Sequence, residues 1–277
     1  EFIMPAGGKG ANQAVAAARL GARVTFVARL GADIFGDKAL AGFTREGLVT
    51  DFITRDAEAP SGVALIFIDA NGDNMLAVAP GANARLSPAD VDRAASAIAS
   101  ADALVLQLET PLDTVAHALR LARRHGVRTV LNPAPAQLLS ADLLQLVDVL
   151  TPNEHEAALL CGDATLTPSL AARRLIAMGV GAVVVTLGAD GALIVTPQRE
   201  DHAPGYPVTA VDTTAAGDAF TAALACALAR GEPLFAAARY ANVVGALTVT
   251  KMGAQPSLPT LADVRTFLAA QNERTRR

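Results

Sequence analysis

The stretch "ALVLQLETPLDTVAHALRLARRHGVRTVLNPAP" runs from residue 103 to residue 135. Its two ends, "ALVLQLE" and "VRTVLNPAP", are short apolar runs, and its middle, "PLDTVAHALRLARRHG", is amphipathic with a helical period. Apolar strands separated by an amphipathic helix predict parallel strands in a sheet covered on both faces. The pattern continues outward on both sides. A helix over "PADVDRAASAIAS" (88–100) precedes it. A short helix near 138–146, the strand "DVLTPN" (148–153), helices over 153–178 and the strand "GAVVVTLG" (181–188) follow it.

Further from this centre the readings are equally local. "GANQAVAAARLGA" (10–22) predicts a helix, "RVTFVARL" (23–30) a strand and "IFGDKALAGFTREG" (34–47) a second helix. "SGVALIFID" and "NMLAVAP" flank an Asn-Gly turn at 71–72, a hairpin signal. That β excursion, about 50–80, interrupts the alternation and reads as a small lid or pairing surface. A second hairpin, "GALIVTPQRE" (191–200), is followed by three helical patterns near 216–230, 233–250 and 260–270.

Composition narrows the function classes. The chain has 277 residues, 52% hydrophobic and 18% charged, enough to bury a large core and too apolar for disorder. Net charge is −4 and the only basic run is the terminal "RTRR", which argues against a nucleic-acid surface. No apolar stretch approaches the roughly 18 residues of a membrane span, and "EFIMPAGGKG" is not a signal peptide. Cys161 and Cys226 read as buried thiols in a reducing compartment, and a cytoplasmic location is expected. The four histidines show no metal-ligand spacing and carry no chemistry.

In a sheet of this kind ligands sit at the carboxyl ends of the strands. Four such ends carry polar or glycine-rich residues: "QLE" at 107–109, "LNPAP" at 131–135, "TPNEHE" at 151–156 and "TLGADG" at 186–191. Any one of them is an ordinary turn; four on one edge point to a site. The common nucleotide fingerprints are missing. "GADIFGDK" (31–38) sets Asp37 where phosphates would lie, and no G-x-G-x-x-G follows a strand.

Two stretches remain. "PAGGKGANQA" (5–14) is either a flexible loop or a glycine loop whose backbone can approach a ligand, with Lys9 and Asn12 at its mouth. "VDTTAAGDAF" (211–220) places Asp212 and Asp218 on either side of a run of very small residues, just as a helix begins. A helix N-terminus offers unpaired N–H groups and partial positive charge to phosphate oxygens. Asp218 then either complements the helix dipole or serves as a base beside an anion site, and the motif alone allows both.

Together these stretches resemble the ribokinase branch of the PfkB-type carbohydrate kinases, in order and along essentially the whole chain. "GGKGANQAVAAARLGA" matches one family signature and "DTTAAGDAF" the other. "SGVALIFID", "GANARLSP", "QLETPLDTV", "LNPAP", "TPNEHEA", "VVVTLGADGA" and "VTKMGAQPSLP" complete the ordered blocks. The resemblance implies a single domain over 1–277, an α/β fold: a three-layer α/β/α sandwich with a mostly parallel central sheet. It also implies a small β lid from about 1–6 and 50–80, through which two copies pair as a homodimer.

The activity it implies is ATP-dependent phosphorylation of the 5-hydroxyl of D-ribose. Deoxyribose, fructose or a nucleoside are alternative acceptors, and a non-catalytic sugar-binding relative is a further one. Phe67, Ile68 and Leu76 in the lid, with no Trp, favour a bare sugar over a nucleoside. By resemblance Asp218 is the general base, and Ala215, Ala216 and Gly217 form the anion hole. Sugar contacts fall on Gly8, Lys9, Gly10, Ala11, Asn12, Glu109 and Asp218. Nucleotide contacts fall on Asn153, Thr186, Leu187, Gly188, Ala189, Asp190, Gly191, Gly217 and Asn242. Glu156 completes an N-x-x-E pattern that organises Mg²⁺ through water. An activating K⁺ maps onto Asp212, Thr214, Thr248, Lys251, Gly253 and Ser257, mostly through backbone carbonyls. Family members begin with a strand ending in Asn-x-Asp and then a lid strand. Only "EFIMPA" precedes the glycine loop here, and the expectation is a longer reading frame.

Overall fold

A computed structural model describes residues 6–68 and 74–275. The chain opens with α1 (Lys9–Arg19), β1 (Ala28–Gly31), α2 (Ile34–Arg45) and β2 (Ile53–Asp56). Next come β3 (Val63–Ile68), β4 (Asn74–Ala79), α3 (Pro88–Arg93) and α4 (Ala95–Ala99). The alternating region supplies β5 (Ala103–Leu106), α5 (Leu112–Arg124), β6 (Arg128–Leu131), α6 (Ala141–Leu144) and β7 (Val149–Leu150). It continues through α7 (Glu154–Leu160), α8 (Pro168–Ala177), β8 (Ala182–Thr186), β9 (Gly191–Val195) and β10 (Glu200–Pro204). Three helices end the described chain: α9 (Ala216–Ala229), α10 (Leu234–Thr248) and α11 (Leu261–Thr275).

Six strands form the main sheet in the order β10-β9-β8-β7-β6-β5. β5 to β8 are parallel, as the 103–135 stretch predicts, and β9 and β10 add an antiparallel edge. Side chains alternate between the two faces of a strand. Val130, Val149, Ala182 and Val184 accordingly pack with α1, α9 and α10. Their neighbours Leu131, Leu150, Val183 and Val185 pack with α5, α7 and α8. The result is the three-layer α/β/α sandwich. Leu119, Leu131, Leu144 and Leu150 are fully buried, each worth about 1.5–3 kcal/mol of transfer free energy.

Several local readings change. The helix read over 88–100 breaks at Ala94, whose φ of −94° and ψ of 6° end α3 before α4 begins. The strand read over 23–30 narrows to β1, with Thr25 making only an isolated bridge to Val49. Residues 53–56, grouped by their sequence with the 50–80 excursion, pair in parallel with β1 as a separate two-stranded sheet. The excursion is thus the β3–β4 hairpin, paired from Val63 with Ala79 to Ile68 with Asn74. Its Asn-Gly turn, the side chains of Phe67, Ile68 and Leu76, and nearly all of the expected 1–6 contribution lie outside the described residues.

The hairpin springs from a tightly tied base. Asp33 caps α2 through Gly36 N–H and also accepts Ser61 N–H at 2.7 Å and Ser61 Oγ at 2.8 Å. On the returning strand Gly81 has φ 52°, and a Cβ there would lie 2.3 Å from the Pro60 carbonyl oxygen. Only glycine fits that crossing.

Candidate active site

The parallel strands end on one edge of the sheet, and α1 and α9 both begin there. Lys9, Asn132, Ala134, Thr151, Asn153, Glu156, Thr186, Thr213, Ala215, Gly217 and Asp218 line one cavity of about 250 Å³ at that edge. Three of the four strand ends singled out from sequence contribute lining residues. The fourth joins through Glu109, whose Oε2 accepts the Lys9 backbone N–H at 2.8 Å.

α9 starts abruptly. Ala215 stands before it at φ 62°, ψ 7°, the only non-glycine residue with positive φ among the described residues. No side chain of Ala215 can cap the helix, and Ala216 N–H turns back to the Thr213 carbonyl at 3.2 Å. No carbonyl or side chain among the described residues takes the N–H groups of Gly217 and Asp218. A Cβ built on Gly217 would meet nothing within 4 Å, so the helix mouth is open. Helix N-termini with unpaired N–H groups suit anions.

Asp218 lies in the first turn of α9 and is 6% exposed. Asn12 Nδ2 donates to its Oδ2 at 2.8 Å, and Gln13 Nε2 donates to its Oδ1 at 3.1 Å. Burial pushes the carboxyl above its ordinary range, while Asn12, the Lys9 charge and Gln13 oppose the rise. Glu109 is raised by burial and by the Asp218 charge, against the Lys9 backbone N–H and charge. Glu156 is raised in the same way, with Asn153 N–H and Lys9 opposing. Lys9 is the cation that faces all three acids.

Asn153 and Glu156 form a capping box on α7: Glu156 N–H donates to Asn153 Oδ1, and Asn153 N–H to Glu156 Oε2, both at 2.8 Å. The N-x-x-E spacing therefore has a local helix-start role as well as a place on the cavity wall. Gly8 sits opposite Glu109, and a Cβ at Gly10 would lie 2.6 Å from Gln107 Nε2. Ala11 is buried in the core beneath this loop.

The remaining expected positions lie off the cavity. Leu187, Gly188, Ala189, Asp190 and Gly191 form the 3₁₀ turn between β8 and β9, beyond Thr186. Asn242 is buried on α10 and donates to the Ala203 and Pro204 carbonyls at 2.9 and 3.1 Å, securing the end of β10. In the expected K⁺ set, Asp212 Oδ1 accepts Thr214 N–H at 2.9 Å and Thr214 Oγ1 at 2.6 Å. Its Oδ2 accepts Gly253 N–H at 2.8 Å, so one carboxylate joins two loops. Burial works to raise Asp212, and these three donors outweigh it and hold it low. The Thr248 and Ser257 hydroxyls donate to the Val244 and Ala254 carbonyls, and Lys251 is exposed.

Sequence reading assigned no role to Gln13, Asn132, Thr151 or Thr213. Gln13 carried a usable signal: a polar side chain in a run of buried small residues on α1 must find a polar partner.

The comparisons with known proteins agree with this geometry. The model described as pfkB family carbohydrate kinase matches residues 1–261. A ribokinase of Haemophilus influenzae is 41% identical over 265 residues, covering 95% of this chain and 87% of that protein. A deoxyribokinase of Salmonella typhi is 39% identical over 272 residues, covering 97% and 89%. The structure of Arabidopsis thaliana ribokinase complexed with ribose and ATP superposes with a TM-score of 0.87 at 30% identity, covering 95% of this chain and 87% of that one. An acid beside an open helix mouth, at the strand ends of a sandwich matched over nearly its whole length, has one reading: the chain belongs to the pfkB family of carbohydrate kinases.

Proposed function

We propose that this chain is an ATP-dependent ribokinase, converting D-ribose and ATP to D-ribose 5-phosphate and ADP. The observation that carries the reading is Asp218, buried and held by two amide donors, at the mouth of α9 beside free backbone N–H groups. Asp218 takes the proton of the 5-hydroxyl. That oxygen then bonds to the γ-phosphorus as the bridging bond to ADP breaks. The N–H groups of Gly217 and Asp218 meet the charge on the transferring group, with Ala215 and Ala216 too small to block it. Phosphoryl transfer is chiefly positioning and charge neutralisation, so few groups suffice.

Lys9, Asn12 and Glu109, with the backbone of Gly8, Gly10 and Ala11, are the sugar side of the site. Asn153, the turn from Thr186 to Gly191 and Asn242 are the nucleotide side. The donor set suits Mg²⁺: Glu156 and Asp218 are the carboxylates that line the cavity, and Glu156 is the one left for the ion when Asp218 acts as the base. Such an ion binds through few carboxylates plus substrate phosphates, and when bound it neutralises phosphate charge. Asp212, held low by its donors and tying the loop at 212–214 to Gly253, is the charge that would balance a monovalent cation such as K⁺.

The hairpin supports a homodimer. Leu65 and Val78, 51% and 58% exposed, stand on opposite faces of the two-stranded ribbon, so one apolar face is left for a second copy when the other covers the sugar. No described helix is long and apolar enough to cross a membrane, and Cys161 and Cys226 are free and buried; we place the enzyme in the cytoplasm. The similarity to a deoxyribokinase favours 2-deoxyribose as the second acceptor to examine. ADP release measured with ribose, 2-deoxyribose, fructose and adenosine, with and without K⁺, tests the reading. Ribose gives the highest kcat/KM, and Asp218→Ala abolishes turnover. An active Asp218→Ala enzyme overturns the assignment.

A further inference from the structure

Gln13 touches the carboxylate of Asp218 from the side away from Asn12, and it is 3% exposed. Its Nε2 also donates to Asn132 Oδ1 at 3.2 Å, so both amide hydrogens are committed. Asn132 Nδ2 donates to the Thr151 carbonyl at 3.0 Å, and Thr151 Oγ1 lies 3.0 Å from Thr221 Oγ1. Thr221 is on α9, three residues after Asp218. The bonds therefore close a ring, from Asp218 through α1 and the ends of β6 and β7 back to the next turn of α9. Every side chain in it is between 1% and 6% exposed.

The ring has a fixed sense. A carboxylate accepts only, so the Gln13 amide must present nitrogen to Asp218. Its Oε1 is then buried with no partner. Leaving a buried acceptor unsatisfied is unfavourable. The orientation is maintained against that cost.

We propose that Gln13 is a positioning residue for phosphoryl transfer: braced by Asn132 and Thr151, it holds the Asp218 carboxylate in place as the proton acceptor. The inference rests on Asp218 being the base. Gln13 acts on the sugar only through Asp218, so its loss lowers kcat and leaves the KM for sugar nearly unchanged. Its donor also favours the ionised carboxylate, in opposition to burial. Removing it raises the pH at which Asp218 loses its proton, and the acid limb of the kcat profile moves to higher pH. Lys9 from α1, Glu109 after β5 and Glu156 on α7 also face Asp218; they are unchanged between parent and variant.

The test compares the parent with Gln13→Met, which keeps the volume and removes the donor, and with Gln13→Glu, which is isosteric. Melting midpoints and ATP binding establish that each is folded. The expected result for Gln13→Met is a fall in kcat of about 10–100-fold, typical for a partner one bond removed from the chemistry, with an acid limb shifted upward. Gln13→Glu sets a second carboxyl against Asp218 Oδ1, and like charges drive the limb further in the same direction. It supplies the answer where the methionine variant does not fold. Folded variants with parental kcat and an unmoved acid limb overturn the inference. Asp218→Asn is run beside them: if it retains turnover, the base assignment itself is wrong, whereas an inactive Asp218→Asn with parental Gln13 variants refutes the positioning role alone.

Discussion

Asn12 Nδ2 lies 2.8 Å from Asp218 Oδ2, across 206 positions of sequence, and the Oδ1 of the same amide is buried without a partner. The pair joins the first turns of two helices that pack side by side, α1 and α9, and it sets two demands against each other. Burial disfavours the charge on Asp218; the amide donors favour it. The site keeps a carboxylate that folding alone would reject, as expected where function opposes stability.

Asp218→Asn should therefore be less active and more stable. With Asp218 as the proposed base, its loss costs about 10²–10⁴ in kcat. The new amide can be accommodated, because Asn12 on turning over offers its unpartnered Oδ1 to the new NH₂ while Gln13 goes on donating to the remaining oxygen. For stability the sign follows from proton uptake. The folded value of Asp218 is raised above 3.8, so between those two values the folded state binds more protons and stability falls as pH rises. Below the ordinary carboxylate range the variant and parent melt alike. The variant gains through the window up to the raised value and keeps its gain above it. Each kcal/mol reads as roughly 2–4 °C in thermal melts across a pH series.

How much of this was legible depends on range. The sandwich could be read from 103–135 because each strand and helix there carries its own period. Ala94 was not legible as a break, since nothing in "DRAASAIA" marks it, and the parallel pairing of β2 with β1 depends on a connection of more than twenty residues. Asp218, Gly217 and Lys9 stood out as local motifs. The ring through Gln13, Asn132, Thr151 and Thr221 draws on four separate segments, and only the fold brings them together. The capping box of Asn153 and Glu156 shows the reverse: a spacing read as chemistry that also has a purely local cause.

Gly217→Ala separates the open helix mouth from the fold. A Cβ there meets nothing within 4 Å, so the melting midpoint should stay within experimental error or rise slightly, since alanine favours helix. On the proposed mechanism the added methyl occupies space that the phosphoryl oxygens need. A displacement of about 1 Å can cost 10²-fold in rate, and a kcat loss of that order with near-parental stability is the expected outcome. Parental kcat would place the transferring group elsewhere.

Ala215 gives a complementary pair of variants. An L-residue in the left-handed region costs about 1–2 kcal/mol, and glycine removes that strain while losing about 0.4–1 kcal/mol through its freer unfolded chain. Ala215→Gly should melt within about 1 kcal/mol of the parent and remain active. Ala215→Val puts a β-branched side chain at φ 62°, a conformation it resists, and should lose both stability and activity. Equal melting of the two variants would show that the turn before α9 relaxes freely.

Asp212→Ala tests the cation site, and the geometry predicts two separable effects. The carboxylate holds Gly253 N–H at 2.8 Å and both donors of Thr214, so its removal frees three hydrogen bonds, two within the 212–214 loop and one that ties it to the 250–253 loop. These loops are partly exposed and water can replace the lost acceptor, so the cost to folding should be near 1 kcal/mol. The second effect concerns activity. If carbonyls of these loops hold K⁺ and Asp212 balances its charge, the parent is activated by K⁺ over Na⁺ and the variant is not, with both similar in Na⁺ alone. The measurement is the ratio of initial rates in the two salts at equal ionic strength, with ribose and ATP saturating. A variant that keeps the parental K⁺ ratio would leave Asp212 as a loop tie and move the cation to another part of the molecule.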